Sequence, residues 1–234
     1  GGEEMVPVGH GGDEIHVRVL LGCVNSTHSL VGYDFDEGKA FWACPQSLIR
    51  SCGICYDGDD LLLAGDNHVI RLSAENAEET TIFGRFDALA HSVHPVTGGL
   101  FGVVDTGNSR VVVYSSDGSV DDVYCPLAAW EASPHDAIHL NDFAETPHGL
   151  IASCFDYRPW RSVREKTSWG DWCTGGYGLI LRLDGAPGSG AGRVVGSGFN
   201  PPHSLTWHEN RLHLCSSSTG EFHVCEMDAH GLIR

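Results

Sequence analysis

Three histidines, His91, His139 and His203, stand at one recurring position of a repeated pattern. Four stretches share its register: CGICYDGDDLLLAG from Cys52, HSVHPVTGGLFGVV from His91, HLNDFAETPHGLIAS from His139 and HSLTWHENRLHLCS from His203. Imidazoles brought together from separate copies are ligands for one divalent metal ion, zinc or iron, and three of them leave coordination positions open for water or substrate. Such an ion acts as a Lewis acid or activates water. Cys52 holds the same position in its copy and is a candidate fourth ligand, although a thiol packed as an apolar residue is the commoner arrangement. In the N-terminal copy the position is Gly11, with His10 beside it. The metal-free alternative is a channel lined by hydrogen-bonded imidazoles and water.

Each copy reads as a short strand, a polar turn and a second apolar strand. The leucine opening the second strand falls nine residues after the first position at Leu61, Leu100 and Leu212, and eleven after it at Leu150. A third strand follows, where DTGNSRVVVYSSDG at 105–118 matches STGEFHVCEMDAHG at 218–231. The segment LLGCVNSTHSLVGYDFDEG at 20–38 lies over LFGVVDTGNSRVVVYSSDG at 100–118 and supplies a fifth copy. Units of about 40 to 50 residues with four strands each predict an all-β chain, a five-bladed β-propeller with four-stranded blades. The blades fall at about 10–45, 46–85, 86–125, 135–198 and 199–234, with Met5 to Val8 as an outer strand closing the ring beside the last. An irregular sandwich is the alternative fold. In a propeller the first strand of each blade lines the central channel, so the three histidines would face one axis.

Blade 4 carries an insertion, DYRPWRSVREKTSWGDWCTGG at 156–176, between its second and third strands. That loop should emerge on the face where the histidines enter. Arg158, Arg161 and Arg164 with Trp160, Trp169 and Trp172 are suited to grip a carboxylate and exclude water, and packing on the disc is the plainer role. Tyr157 and Glu165 are candidate acids or bases. His94 is a candidate proton carrier at the channel mouth. Asn141 shares a strand face with His139 and is a candidate substrate or ligand-supporting contact, whereas Asp142 points the other way and is expected to be structural.

The composition narrows the partners. The 234 residues include 14 Lys+Arg against 31 Asp+Glu, a formal charge of −17, so nucleic acid and anionic membranes are poor partners. No apolar run is long enough to span a bilayer, and Gly1-Gly2-Glu3-Glu4 does not read as a signal peptide, which predicts a soluble, cytoplasmic protein. The nine cysteines lie mostly singly in apolar runs and read as reduced core thiols. Cys52 and Cys55 have the spacing of a redox pair, but an extended strand separates their faces.

The segment DTGNSRVVVYSSDG resembles an NHL-type propeller repeat. More of the chain is similar to an uncharacterised bacterial propeller family, through His139-Leu140-Asn141, Pro202-His203-Ser204-Leu205-Thr206-Trp207, Arg211-Leu212 and Ser218-Thr219-Gly220-Glu221. Members of that family usually continue for another blade. The histidine column is distantly similar to that of peptidyl-hydroxyglycine amidating lyase, in which histidines of separate blades hold a catalytic zinc; this implies His91, His139 and His203 as ligands here. The expected function is a metal-dependent enzyme of lyase or hydrolase type, acting on a small, anionic molecule or peptide under the 156–176 loop. An iron-dependent oxygenase on the same histidines, or a non-enzymatic propeller binding a protein or peptide on its top face, are the alternatives.

Overall fold

Strand β5 (Asp60–Gly65) shows how the chain is packed: every residue from Leu61 to Gly65 is buried, yet alternate side chains serve different cores. Leu61 and Leu63 pack with Leu30, Ile70 and Leu72. Leu62 and Ala64 pack with Ala90, Val93, Phe101 and Val103. A strand apolar on both faces is a strand sandwiched between two other sheets.

A computed structural model describes residues 18–22, 30–43, 51–65, 67–73, 79–83, 86, 90–126, 136, 138–155, 177–184 and 191–234. The chain is all-β, with one short 3-10 turn at Thr106–Asn108. Five antiparallel sheets follow one another. They are β1 (Arg18–Gly22), β2 (Leu30–Asp34) and β3 (Lys39–Ala43); β4 (Ser51–Asp57), β5, β6 (His68–Ser73) and β7 (Glu79–Phe83); β8 (Ala90–Val96), β9 (Leu100–Asp105), β10 (Arg110–Tyr114) and β11 (Val120–Tyr124); β12 (Leu140–Thr146), β13 (Gly149–Cys154), β14 (Gly178–Asp184) and β15 (Ala191–Phe199); and β16 (Pro202–His208), β17 (Arg211–Ser216) and β18 (Glu221–Glu226). Each is a meander in which sequence neighbours pair.

Consecutive sheets stack face to face. Val104, Val111, Leu140, Phe143 and Ala152 fill the space between the third and fourth. Ala144, Ile151, Ile180, Leu205, Leu212 and Leu214 fill that between the fourth and fifth. The first strands form the spine of this stack: β4 packs on β8, β8 on β12 and β12 on β16. Gly53 permits the closest approach, because a Cβ there would lie 2.6 Å from the Ser92 Cα and 2.8 Å from the Val93 nitrogen.

Three sheets have the expected four strands; the first and last have three among the described residues. In the first, β1, β2 and β3 occupy the repeat positions of β9, β10 and β11. In the last, the turn after β18 is built on Asp228, whose Oδ1 accepts the His230 and Leu232 amides. It sends the tail back, so that the Ile233 amide donates to Val195 and the Arg234 amide to Glu226. A returning tail, tied to β15 and to the end of β18, follows the third strand. The strand expected at Met5 to Val8 lies outside the described residues.

Candidate functional site

Every described first strand carries a register shift near its start: between Ser51 and Gly53 in β4, Ala90 and Val93 in β8, Leu140 and Asp142 in β12, and His203 and Thr206 in β16. A bulge leaves a residue unpaired and re-aims it. His91 lies within the β8 bulge, Cys52 within that of β4 and Asn141 within that of β12; His203 is the last paired residue before the β16 bulge.

The expected single column is therefore staggered. By strand pairing the counterpart of His91 is Asn141, and His139 stands two residues earlier, just ahead of β12. Left-handed backbone makes up the difference: φ is 59° at Asp136, 47° at His139 and 55° at Ser204. These are three of the six non-glycine residues with positive φ among those described. The conformation is uncommon outside glycine and clusters where a site demands it.

The three rings nonetheless gather. The His91 centroid lies 5.6 Å from that of His139 and 5.9 Å from that of His203. Phe155, directly after β13, closes one side, 4.3 Å from the His139 ring and 4.9 Å from the His203 ring. Its amide reaches the Ile138 and His139 carbonyls, which fixes the ring against the histidines. Asn141, 2% exposed, places Nδ2 at 3.1 Å from His91 Nε2 and 3.3 Å from Nδ1.

Asp136 holds His139 from behind, with Oδ1 and Oδ2 each 3.0 Å from Nδ1. The Asp136 amide donates to the Gly107 carbonyl at 2.8 Å, and the Thr106 hydroxyl donates to the Leu140 carbonyl at 2.8 Å. The segment carrying His139 is thus pinned to the turn after β9. Burial, with repulsion from His139 and His203 and against the pull of Asp142, lowers the His91 pKa to about 3. Burial likewise lowers His203 to about 4, opposed by Asp142 and aided by His139. His91 and His203 are therefore neutral at pH 7, the form that ligates a metal. As the side chains stand, no group of three or more His, Cys, Asp and Glu among the described residues is arranged to hold an ion; His91 is engaged by Asn141 instead.

His94, expected at a channel mouth, is turned into the stack: Nε2 lies 2.6 Å from Asp142 Oδ1 and the ring meets Phe143 edge-on at 5.2 Å. Cys52 and Cys55 are both thiols, and Cys55 packs in the core between the second and third sheets. Tyr157, Arg158, Trp160, Arg161, Arg164, Glu165, Trp169 and Trp172 lie outside the described residues. Both roots of their loop are placed, however. Phe155 abuts two of the histidines, and Gly178 abuts Pro202, the residue before His203.

No family model and no curated protein matches the chain. Solved structures do. Regucalcin from Agrobacterium tumefaciens, described as a calcium-binding protein and itself a propeller, superposes with a TM-score of 0.51 at 13% identity, covering 78% of this chain and 56% of that one. The chain is a β-propeller. A chain of the nidogen/laminin complex superposes with a TM-score of 0.55 at 14% identity, covering 89% of the propeller and 78% of its counterpart. The propeller spans just over half the length of the regucalcin chain, and at these identities the likeness speaks for the fold alone. No helix among the described residues is long and apolar enough to cross a membrane.

Asp136 and Phe155 were not singled out from the sequence. Asp136 carried one signal, its spacing three residues before a candidate ligand; Phe155 carried none beyond standing where the insertion begins.

Proposed function

We propose that the chain is a metal-dependent enzyme of lyase or hydrolase type, with His91, His139 and His203 holding zinc or iron on the axis of a five-bladed propeller. The observation that carries the reading is the convergence of three imidazoles from three sheets, at centroid separations of 5.6 and 5.9 Å. A tetrahedral ion about 2.1 Å from each nitrogen places neighbouring centroids about 5 Å apart. The His91 ring would close in on each of the other two by under 1 Å, with His91 releasing Asn141.

When bound, the ion supplies Lewis acidity and a water of lowered pKa. The chain's own groups do the rest. Asp136 accepts from His139 Nδ1–H, leaving the lone pair on Nε2. Phe155 shields the ring faces from water. Asn141, once released, is a hydrogen-bond donor and acceptor beside the reacting group. The 156–176 loop springs from Phe155 and returns at Gly178 beside Pro202, which favours it as the cover of a small anionic substrate held by Arg158, Arg161 and the tryptophans. Tyr157 and Glu165 are its candidate acids and bases. Ring closure would bring the first sheet onto the last, with the segment before residue 18 completing the blades, in a cytoplasmic protein.

The Asn141 contact with His91 favours a second reading, a channel of hydrogen-bonded histidines whose propeller binds a protein or peptide on its top face. Metal analysis of the purified protein separates the two. Near-stoichiometric zinc or iron that is lost in His139→Ala supports the enzyme; metal-free protein with unchanged stability in the variant supports the binding module.

A further inference from the structure

Asp142 was expected to be structural and to point away from the histidines. Its surroundings give it a more specific task. It is 5% exposed and sits on β12, yet its two carboxylate oxygens reach three sheets' worth of chain. Oδ1 lies 2.6 Å from Nε2 of His94, on the strand that carries His91. Oδ1 also accepts the Phe143 amide at 2.8 Å, on the strand that His139 leads into. Oδ2 accepts the Leu205 amide at 2.7 Å, within the bulge that follows His203.

We infer that Asp142 is the positioning residue of the histidine cluster, a single buried carboxylate that locks together the strands bearing His91 and His203 and the strand that His139 leads into. The bulges explain why such a lock is needed. A bulge releases a residue from the ladder, so the ladder alone does not fix where His91 and His203 point. The Leu205 amide is one of the donors released in this way, and Asp142 takes it up. A buried carboxylate is retained only where donors satisfy it, and here one imidazole and two amides do so. The buried Ser92 hydroxyl, 6% exposed, adjoins the carboxylate and helps to keep it charged. The lock acts on the rings themselves; only its effect on metal affinity rests on the proposed function.

The test reads the histidine ring signals by NMR in full-length protein, alongside cobalt(II) titration followed by visible absorption. Asp142→Asn keeps the size but offers one acceptor oxygen where two are used. With a cooperative fold retained, the His91 and His203 ring signals should shift or broaden while exposed His208 is unmoved, and cobalt affinity should fall about 10- to 100-fold. His94→Ala cuts one arm and should move His91 alone, with His94→Gln restoring it through its amide donor. Unchanged His91 and His203 signals in folded Asp142→Asn would overturn the inference. Should Asp142→Asn not fold, an unmoved His91 in His94→Ala would overturn it equally. Wild-type protein that takes up no cobalt would count against the metal reading alone, and the ring signals would still decide the lock.

Discussion

Asp136 grips His139 by a single ring nitrogen, with both carboxylate oxygens 3.0 Å from Nδ1. A carboxylate only accepts, so the hydrogen resides on Nδ1 and the lone pair on Nε2. The same arrangement orients histidine ligands in metal sites generally.

Removing the grip should loosen the ligand without unfolding the sheet. Asp136→Ala is expected to lower zinc affinity about 10- to 100-fold, while stability falls by about 1 kcal/mol for the lost partly exposed pair. A chelator-competition titration beside a denaturant melt measures both. Unchanged affinity would separate Asp136 from the site.

Acid should destabilise the metal-free protein well above the carboxylate range. His91 and His203 have folded pKa values of about 3 and about 4, below the ordinary 6.5. Between those values and 6.5 the unfolded state binds more protons, so stability rises with pH there and is lost as pH falls from about 6.5. Each histidine contributes on the order of 1 kcal/mol per pH unit across its window. Denaturant melts from pH 7 to 4 should show the decline, and His91→Phe should flatten it. A flat profile in wild-type protein would mean that the two rings are not buried together.

The approach of β4 to β8 leaves no room for a methyl group at residue 53. Gly53→Ala would press its Cβ on the Ser92 Cα and the Val93 nitrogen, backbone atoms that cannot rotate away. Overpacking of this kind costs about 1 to 3 kcal/mol. Because β8 carries His91, metal affinity should fall with stability. Thermal melts test the first effect and metal titration the second; wild-type values for both would mean that the strands lie further apart.

The Cys52 and Cys55 spacing should not support redox chemistry. Burial, with the nearby Asp57 charge, pushes the Cys55 thiol up to about 12. Only about one molecule in ten thousand is then a thiolate at pH 8. Alkylation of native protein, read by mass spectrometry, should leave Cys55 unmodified under conditions that label it in denaturant. Rapid labelling of the native state would contradict this.

The repeat was legible because stacking demands it. Strands such as β5 must be apolar on both faces and must recur, so leucine spacing located the paired strands of four sheets and the 20–38 match located the first. The histidines were legible as candidates for the same reason. Their exact placement was not. Alignment by sequence put His139 level with His91, whereas pairing puts Asn141 there, because the bulges and the left-handed backbone at His139 and Ser204 leave no compositional mark. The role of Asp142 was hidden for a related reason: the residues it joins, His94 and Leu205, are 48 and 63 positions away, and one partner is a backbone amide. The tail that returns after β18 depends on the Asp228 turn, which the repeat pattern does not mark.

Crystals of the purified full-length chain, measured for anomalous scattering at the zinc and iron edges, test the central claim most directly. The account predicts one peak about 2.0 to 2.3 Å from a nitrogen of each of His91, His139 and His203, with Asn141 drawn off His91. A map with no peak between the three rings, after supply of either metal, would contradict it.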